Sequence, residues 1–76
     1  MATRRKAWDG NPLTIASGDD FRAWREDRGY SIRALADALG AFRTSIERWQ
    51  KGDPVPPKSV LMALAYLDLT RDRVNT

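Results

Sequence analysis

Apolar positions recur at helical spacing in several short segments of the chain, and glycine or proline stands at the ends of most of them. Leu35 and Leu39 share one helical face, and Gly40 follows where a left-handed residue commonly ends a helix. Ile46 and Trp49 begin a second apolar face three residues apart. This pattern predicts two short helices, after Ser31 to about Leu39 and over roughly residues 43–50, joined by a tight turn.

An amphipathic segment over residues 18–28 precedes this pair and predicts a further helix. Phe21 and Trp24 lie on one of its faces and are expected in the core. Ser17 and Asp20 are similar to a capping box, in which a hydroxyl and a carboxylate each accept from a free amide at the helix start. The helix start is therefore predicted at residue 18.

A longer apolar segment follows the proline-rich residues 53–57 and predicts a fourth helix from near Pro57 to about Leu69. Residues 60–67 are all apolar or aromatic, which is typical of a helix covered on more than one side. A domain this small covers one side, with Val60, Leu61, Leu64 and Leu67. The outward residues form the expected dimer interface: Met62, Tyr66 and Leu69.

The two ends of the chain lack a lasting period. Residues 1–16 are predicted as an N-terminal basic arm, residues 17–70 as the folded domain and residues 71–76 as a polar tail. Leu13–Ile15 could pair as a short strand or pack on the domain, and Trp8 could cover the domain or a partner. The predicted fold class is an all-α bundle of four to five short helices.

Composition excludes several kinds of chemistry. The chain has neither cysteine nor histidine, so disulfides, thiolate metal sites and imidazole bases are absent. We expect no catalysis, no metal, no cofactor and no small-molecule ligand. No apolar run approaches the roughly 20 residues that span a bilayer, and no export signal is evident, so a cytoplasmic protein is expected.

Positive charge is concentrated in two places, although its overall excess is modest, with 13 Lys and Arg against 10 Asp and Glu. One cluster is Arg4, Arg5 and Lys6 in the arm, which can neutralise phosphates or serve only as a solubilising tail. The other lies in and after the third predicted helix and comprises Arg43, Arg48 and Lys51. Two helices joined by a tight turn, with cations on the second, are the layout of a helix-turn-helix, whose second helix enters the DNA major groove.

The chain resembles the Cro and lambda-repressor-like helix-turn-helix family over residues 20–69. The matching positions are Phe21, Trp24, Leu35, Ala36, Leu39, Gly40, Ile46, the run Trp49–Gly52 and Pro57. In that family the alanine and glycine permit a close helix crossing. Ile32 stands where the family often has a phosphate-binding glutamine, and Arg33 could take over that contact. Phe42 stands where a Ser or Thr usually caps the recognition helix, so an irregular start of that helix is expected.

The resemblance implies that the third helix contacts DNA. Arg43 and Arg48 can each match the two acceptors on the guanine edge, and Thr44 and Ser45 can reach a phosphate or a base, or simply cap the helix. Glu47 can accept from cytosine or pair with Arg43 or Lys51, and the intrahelical pairing is favoured.

Phe42 has two interpretations of equal weight. Its ring can press against a thymine methyl group, or it can fold back into the space beside the small Ala41.

The predicted function is a small phage or mobile-element repressor that binds an inverted-repeat operator in double-stranded DNA as a homodimer. A DNA-binding antitoxin is the first alternative, with the fourth helix or an end of the chain docking a toxin. A protein-interaction module that kept the fold and lost DNA binding is the second. The cations Arg43, Arg48 and Lys51 argue against that module.

Overall fold

Helix starts and stops in the structure follow local signals in the sequence. The computed structural model describes the backbone of residues 8–75 and the side chains of residues 8–70. In that part of the chain a 3₁₀ turn at Pro12–Thr14 precedes four helices, and there is no strand. The helices are α1 (Gly18–Asp27), α2 (Ile32–Leu39), α3 (Arg43–Lys51) and α4 (Lys58–Asn75). The expected all-α fold is confirmed, with four helices.

Side-chain caps fix the starts of α1 and α2. The Ser17 hydroxyl accepts from the Asp20 amide at 3.2 Å, while the Asp20 carboxylate accepts from the Ala16 amide at 3.1 Å. In a standard capping box the carboxylate accepts from the amide of the N-cap residue, here Ser17. In this structure it accepts from the amide one residue earlier. The Ser31 hydroxyl accepts from the Ala34 amide at 3.0 Å. Each cap satisfies an amide that has no partner within its helix.

The tight turn between α2 and α3 depends on Gly40. Its φ of 68° lies in the left-handed region, which favours glycine. The next amide, that of Ala41, donates to the Ala36 carbonyl at 2.9 Å and closes the end of α2. Two residues later α3 begins, so the two helices cross at short range.

The core lies between the four helices. Its fully buried side chains are Phe21, Trp24, Leu35, Ile46 and Leu64. The small Ala36 is also buried, as the helix crossing requires. On α4, Leu61 and Leu64 are buried and Val60 and Leu67 pack against the core, whereas Met62, Tyr66 and Leu69 are exposed, as predicted. No helix in the described residues is both long enough and apolar enough to cross a bilayer.

A polar network joins the end of α1 to α4. The Arg28 guanidinium donates through Nε to Asp68 Oδ1 at 3.0 Å and through Nη2 to Asp68 Oδ2 at 2.9 Å. Trp24 Nε1 donates to the same carboxylate at 3.3 Å. Arg28 also lies over the Trp24 ring, at 5.1 Å from its centroid. This bidentate ion pair joins α4 to the end of α1.

Three local features differ from expectation or resolve an alternative. Leu13–Ile15 forms no strand: it lies in and after the 3₁₀ turn, with Ile15 buried and Leu13 exposed. Trp8 packs against the core. The α4 backbone continues to Asn75, beyond the predicted end at Leu69.

Candidate DNA-binding surface

The outward face of α3 is polar and mainly cationic. Five of its side chains are exposed: Arg43, Thr44, Glu47, Arg48 and Lys51. At 3.6 residues per turn they occupy an arc of roughly 140°, with Arg43 and Arg48 at its two edges. Thr44, Glu47 and Lys51 lie between those edges. The helix therefore presents two guanidinium groups that flank a hydroxyl, a carboxylate and an ammonium group.

The opposite face of α3 is fixed against α1. Ile46 is fully buried, and the Trp49 ring meets the Phe21 ring edge to face, with 5.9 Å between centroids. Gln50 Oε1 accepts from Arg25 Nε at 2.8 Å. Packing and a hydrogen bond thus set the rotation of α3 and hence the direction of its exposed side chains.

The start of α1 approaches main-chain atoms at the end of α3 very closely. A Cβ atom added at Gly18 would overlap the Gln50 carbonyl oxygen and lie 2.6 Å from the Gly52 nitrogen. Real Cβ atoms do not approach backbone so closely, so only glycine fits this joint. The requirement is steric, because the backbone at Gly18 is not left-handed.

The exposed side chains of α3 have no polar partner among the described residues. In particular, Glu47 forms no ion pair with Arg43 or Lys51, so the favoured intrahelical pairing is wrong for this structure. An exposed pair gains little over two solvated charges, and the Arg43–Glu47 order is the weaker one along a helix. Their donors and acceptors therefore remain available to a partner.

The other predicted contact residues surround this face. Ser45 is half-buried, and Arg33 is exposed in the first turn of α2. Phe42 is 80% exposed, so its ring does not fold back beside Ala41. The expected irregular start is not observed, because the Phe42 carbonyl accepts from the Ser45 and Ile46 amides and α3 begins regularly at Arg43. Arg4, Arg5 and Lys6 lie outside the described residues.

Three residues that position this surface were not predicted, namely Gly18, Arg25 and Gln50. Arg25 joins α1 to the end of α3, where it donates to Gln50, and to the loop before α2, where its Nη1 donates to the Tyr30 carbonyl at 2.8 Å. A polar residue in an amphipathic helix gives no sign that it is half-buried. Gly18 carries one usable signal, a glycine directly after a capping serine, where no turn requires it.

The fold and this surface define a helix-turn-helix domain. The family model described as "Helix-turn-helix domain" matches residues 18–75, which is most of the chain. The chain therefore belongs to the helix-turn-helix domain family.

Two archaeal proteins are similar to part of the chain. A predicted HTH-type transcriptional regulatory protein of Pyrococcus horikoshii is 43% identical over 47 residues. A second, from Pyrococcus abyssi and of the same description, is 38% identical over 47 residues. Each alignment covers 62% of this chain and 15% of the relative, so the similarity concerns a small part of those longer proteins. No solved structure is significantly similar to the chain.

Proposed function

We propose that this protein binds a specific double-stranded DNA operator by laying α3 in the major groove and thereby regulates transcription. The observation that carries this proposal is the outward face of α3, where three cations and one carboxylate have no polar partner among the described residues, on a helix whose other face is packed against α1. Because the helix is already ordered, binding has to order only its exposed side chains. Its width suits a groove that admits one helix.

Roles follow from position on α3. Arg43 lies in the first turn, which reaches deepest in this motif, and is proposed to contact a guanine edge. Arg48, at the other edge of the arc, reaches a base or a flanking phosphate. Thr44 and Glu47 face the groove floor between them, where a hydroxyl and a carboxylate can meet base donors. Ser45 and Lys51 contact phosphates at the two ends.

Arg33 is proposed as a phosphate contact from α2. It is exposed in the first turn, where unpaired amides and the helix dipole also favour an anion. Phosphate contacts set the register of the protein on the duplex without reading its sequence. Arg4, Arg5 and Lys6 are proposed to add further phosphate contacts.

The proposed active form is a homodimer on an inverted repeat. Met62, Tyr66 and Leu69 are 57%, 65% and 64% exposed and share one face of α4. A stripe of this kind can pack against its own copy about a two-fold axis, and that symmetry matches an operator with two opposed half-sites. The occupant proposed for the stripe is therefore a second copy of this chain.

Repression by occupancy is the simplest consequence: a bound dimer covers a promoter in the cytoplasm, in the manner of a small phage or mobile-element autorepressor. Repression of this kind requires no small-molecule ligand. If a toxin covers the α4 stripe instead, the protein is an antitoxin, and a stable complex with one other chain replaces the homodimer.

Selection of duplexes from a random pool tests the proposal. The full chain should enrich an inverted repeat, and footprinting of the DNA beside its own gene should show protection of the same sequence. A variant with Arg43→Ala and Arg48→Ala serves as the control, since both side chains are exposed and outside the core. Equal retention of all sequences, or enrichment unchanged in this variant, would contradict the proposal.

A further inference from the structure

Phe42 is the most exposed large apolar side chain in the described part of the chain, at 80%. It is the N-cap of α3, with an extended backbone, and its carbonyl accepts the first amide bonds of the helix. Its ring makes no capping hydrogen bond. The backbone therefore fixes the position of the Phe42 Cβ atom, and the ring extends into solvent. It lies at the N-terminal end of α3, the end proposed to enter the major groove.

The fold gains nothing from a ring at this position. Phe42 neither belongs to the buried core nor packs against it. Ser, Thr, Asp or Asn would stabilise the start of α3, since each can accept from an early amide. The adjoining residues on α3, Arg43 and Thr44, are polar and exposed, so the ring does not continue as an apolar patch along this helix. The ring is therefore placed for a small apolar target between polar groups.

The major groove offers one such target, the C5 methyl group of a pyrimidine, which thymine carries and cytosine lacks. We propose that Phe42 is a specificity residue that packs its ring against a pyrimidine C5 methyl group, beside the base pair that Arg43 contacts. This inference rests on the proposed function. The methyl group can belong to thymine or to 5-methylcytosine, which present the same apolar surface.

The first experiment removes the methyl group alone. The duplex enriched by the full chain is rebuilt with deoxyuridine in place of each thymine in turn, and binding is measured at fixed salt. At one position in each half-site, the substitution should weaken binding about threefold to fivefold, the effect of exposing one methyl group. At the remaining thymines it should have no effect.

The second experiment removes the ring. Phe42→Ser supplies a capping hydroxyl, so the variant should unfold at the same temperature or higher while losing the deoxyuridine effect entirely. Phe42→Leu keeps an apolar side chain and should retain part of the effect. The matched control is Ser59→Ala, which removes an exposed hydroxyl from the first turn of α4, outside the proposed DNA-binding surface, and should leave the deoxyuridine effect intact.

A third duplex distinguishes the two sources of the methyl group. Cytosine paired with guanine at the sensitive position should bind weakly, and 5-methylcytosine should restore the part of the affinity that depends on Phe42. Restoration would support recognition of the methyl group itself; no restoration would contradict it, because both bases present the same methyl group to the ring.

Two further outcomes overturn the inference, and only the second also contradicts the proposed function. If the wild type binds its enriched duplex but tolerates deoxyuridine everywhere, or if Phe42→Ser keeps the wild-type deoxyuridine effect, the role of Phe42 is wrong and the proposed function stands. If no duplex is enriched, the proposed function fails and the inference fails with it.

Discussion

Arg43 and Arg33 occupy different helices and are expected to affect DNA binding differently. Arg43→Ala should cost roughly 1–3 kcal/mol on the operator and relax the preference at one base pair in each half-site. Arg33→Ala should weaken binding to all sequences about equally, because a phosphate contact carries no direct sequence information. The measurement is binding of each variant to a library of operator sequences at fixed salt.

The Arg43→Ala and Arg33→Ala variants serve as controls for each other when both are measured on the same library. Both are exposed, so neither change removes core packing. The assignment is wrong if Arg43→Ala keeps the wild-type preference at every position while Arg33→Ala alters it. If neither change matters, α3 is not the helix that contacts the bases.

Asp9 supplies a pH-dependent contact before α1. The Asn11 amide donates to its Oδ1 at 3.0 Å and the Thr14 hydroxyl at 2.8 Å, and these bonds lower the pKa of the Asp9 carboxyl. Because the folded pKa is depressed, the contact stabilises the fold above the ordinary Asp pKa and is lost as pH falls through the depressed value.

Thr14→Val removes one of these donors and keeps the side-chain shape. The pKa of Asp9, followed by NMR titration, should rise toward its ordinary value and stop short of it, since the Asn11 amide remains. An Asp9 pKa that is unchanged by the substitution would show that the hydroxyl does not stabilise the carboxylate.

At the scale of elements, the sequence predicted the starts of all four helices and the ends of the first three, but it missed the last turns of α4 and the polar contacts between helices. Caps at Ser17 and Ser31 and the glycine at Gly40 are local signals, because each acts within four residues along the chain. The ion pair between Arg28 and Asp68 joins positions 40 residues apart. No spacing in the sequence predicts such a pair, because each charged side chain could equally well be exposed to solvent.

The candidate DNA-binding surface could likewise be predicted only in part. The exposed residues of α3 follow from helical spacing once Ile46 and Trp49 are assigned to the core. The absence of a Glu47 ion pair and the outward ring of Phe42 do not follow, because both depend on free-energy differences smaller than a sequence pattern can resolve.

The joint between α1 and α3 is expected to be sensitive to one added methyl group. Gly18→Ala would force the first turn of α1 away from Gln50 and Gly52, which are held at the backbone and cannot yield. Overpacking of this kind costs about 1–3 kcal/mol, and the upper end is expected here. Chemical unfolding measures the loss, with Ala38→Ser, at an exposed position of α2, as the control for a small added group. Equal stability of both variants would refute the close contact.

At the scale of the whole molecule, the α4 stripe of Met62, Tyr66 and Leu69 is proposed to set the oligomeric state. Met62→Gln with Tyr66→Gln should give a soluble monomer with an intact fold, because both side chains are exposed in the single chain. Sedimentation of the free protein and of its DNA complex measures this, and Ala38→Gln is the matched surface change. A wild-type monomer at high micromolar concentration, free and on DNA, would rule out the dimer.

The N-terminal cations are expected to appear in the salt dependence of binding. The logarithm of affinity should fall linearly with the logarithm of salt concentration, by about 0.9 for each phosphate contact on duplex DNA. Deleting residues 1–6 should make that slope shallower without changing the preferred sequence. A slope that is unaltered by the deletion would mean that Arg4, Arg5 and Lys6 neutralise no phosphate.

The main-chain contact at Gly18 has a consequence for how new target sequences can arise. Because α1 meets the carbonyl of Gln50 and the amide of Gly52, the joint is indifferent to the side chains at positions 43, 44, 47 and 48. The side chains at those positions can be replaced while α3 keeps its orientation in the domain. If these side chains contact DNA as proposed, evolution or a designer can change the preferred sequence one side chain at a time without first restoring the fold.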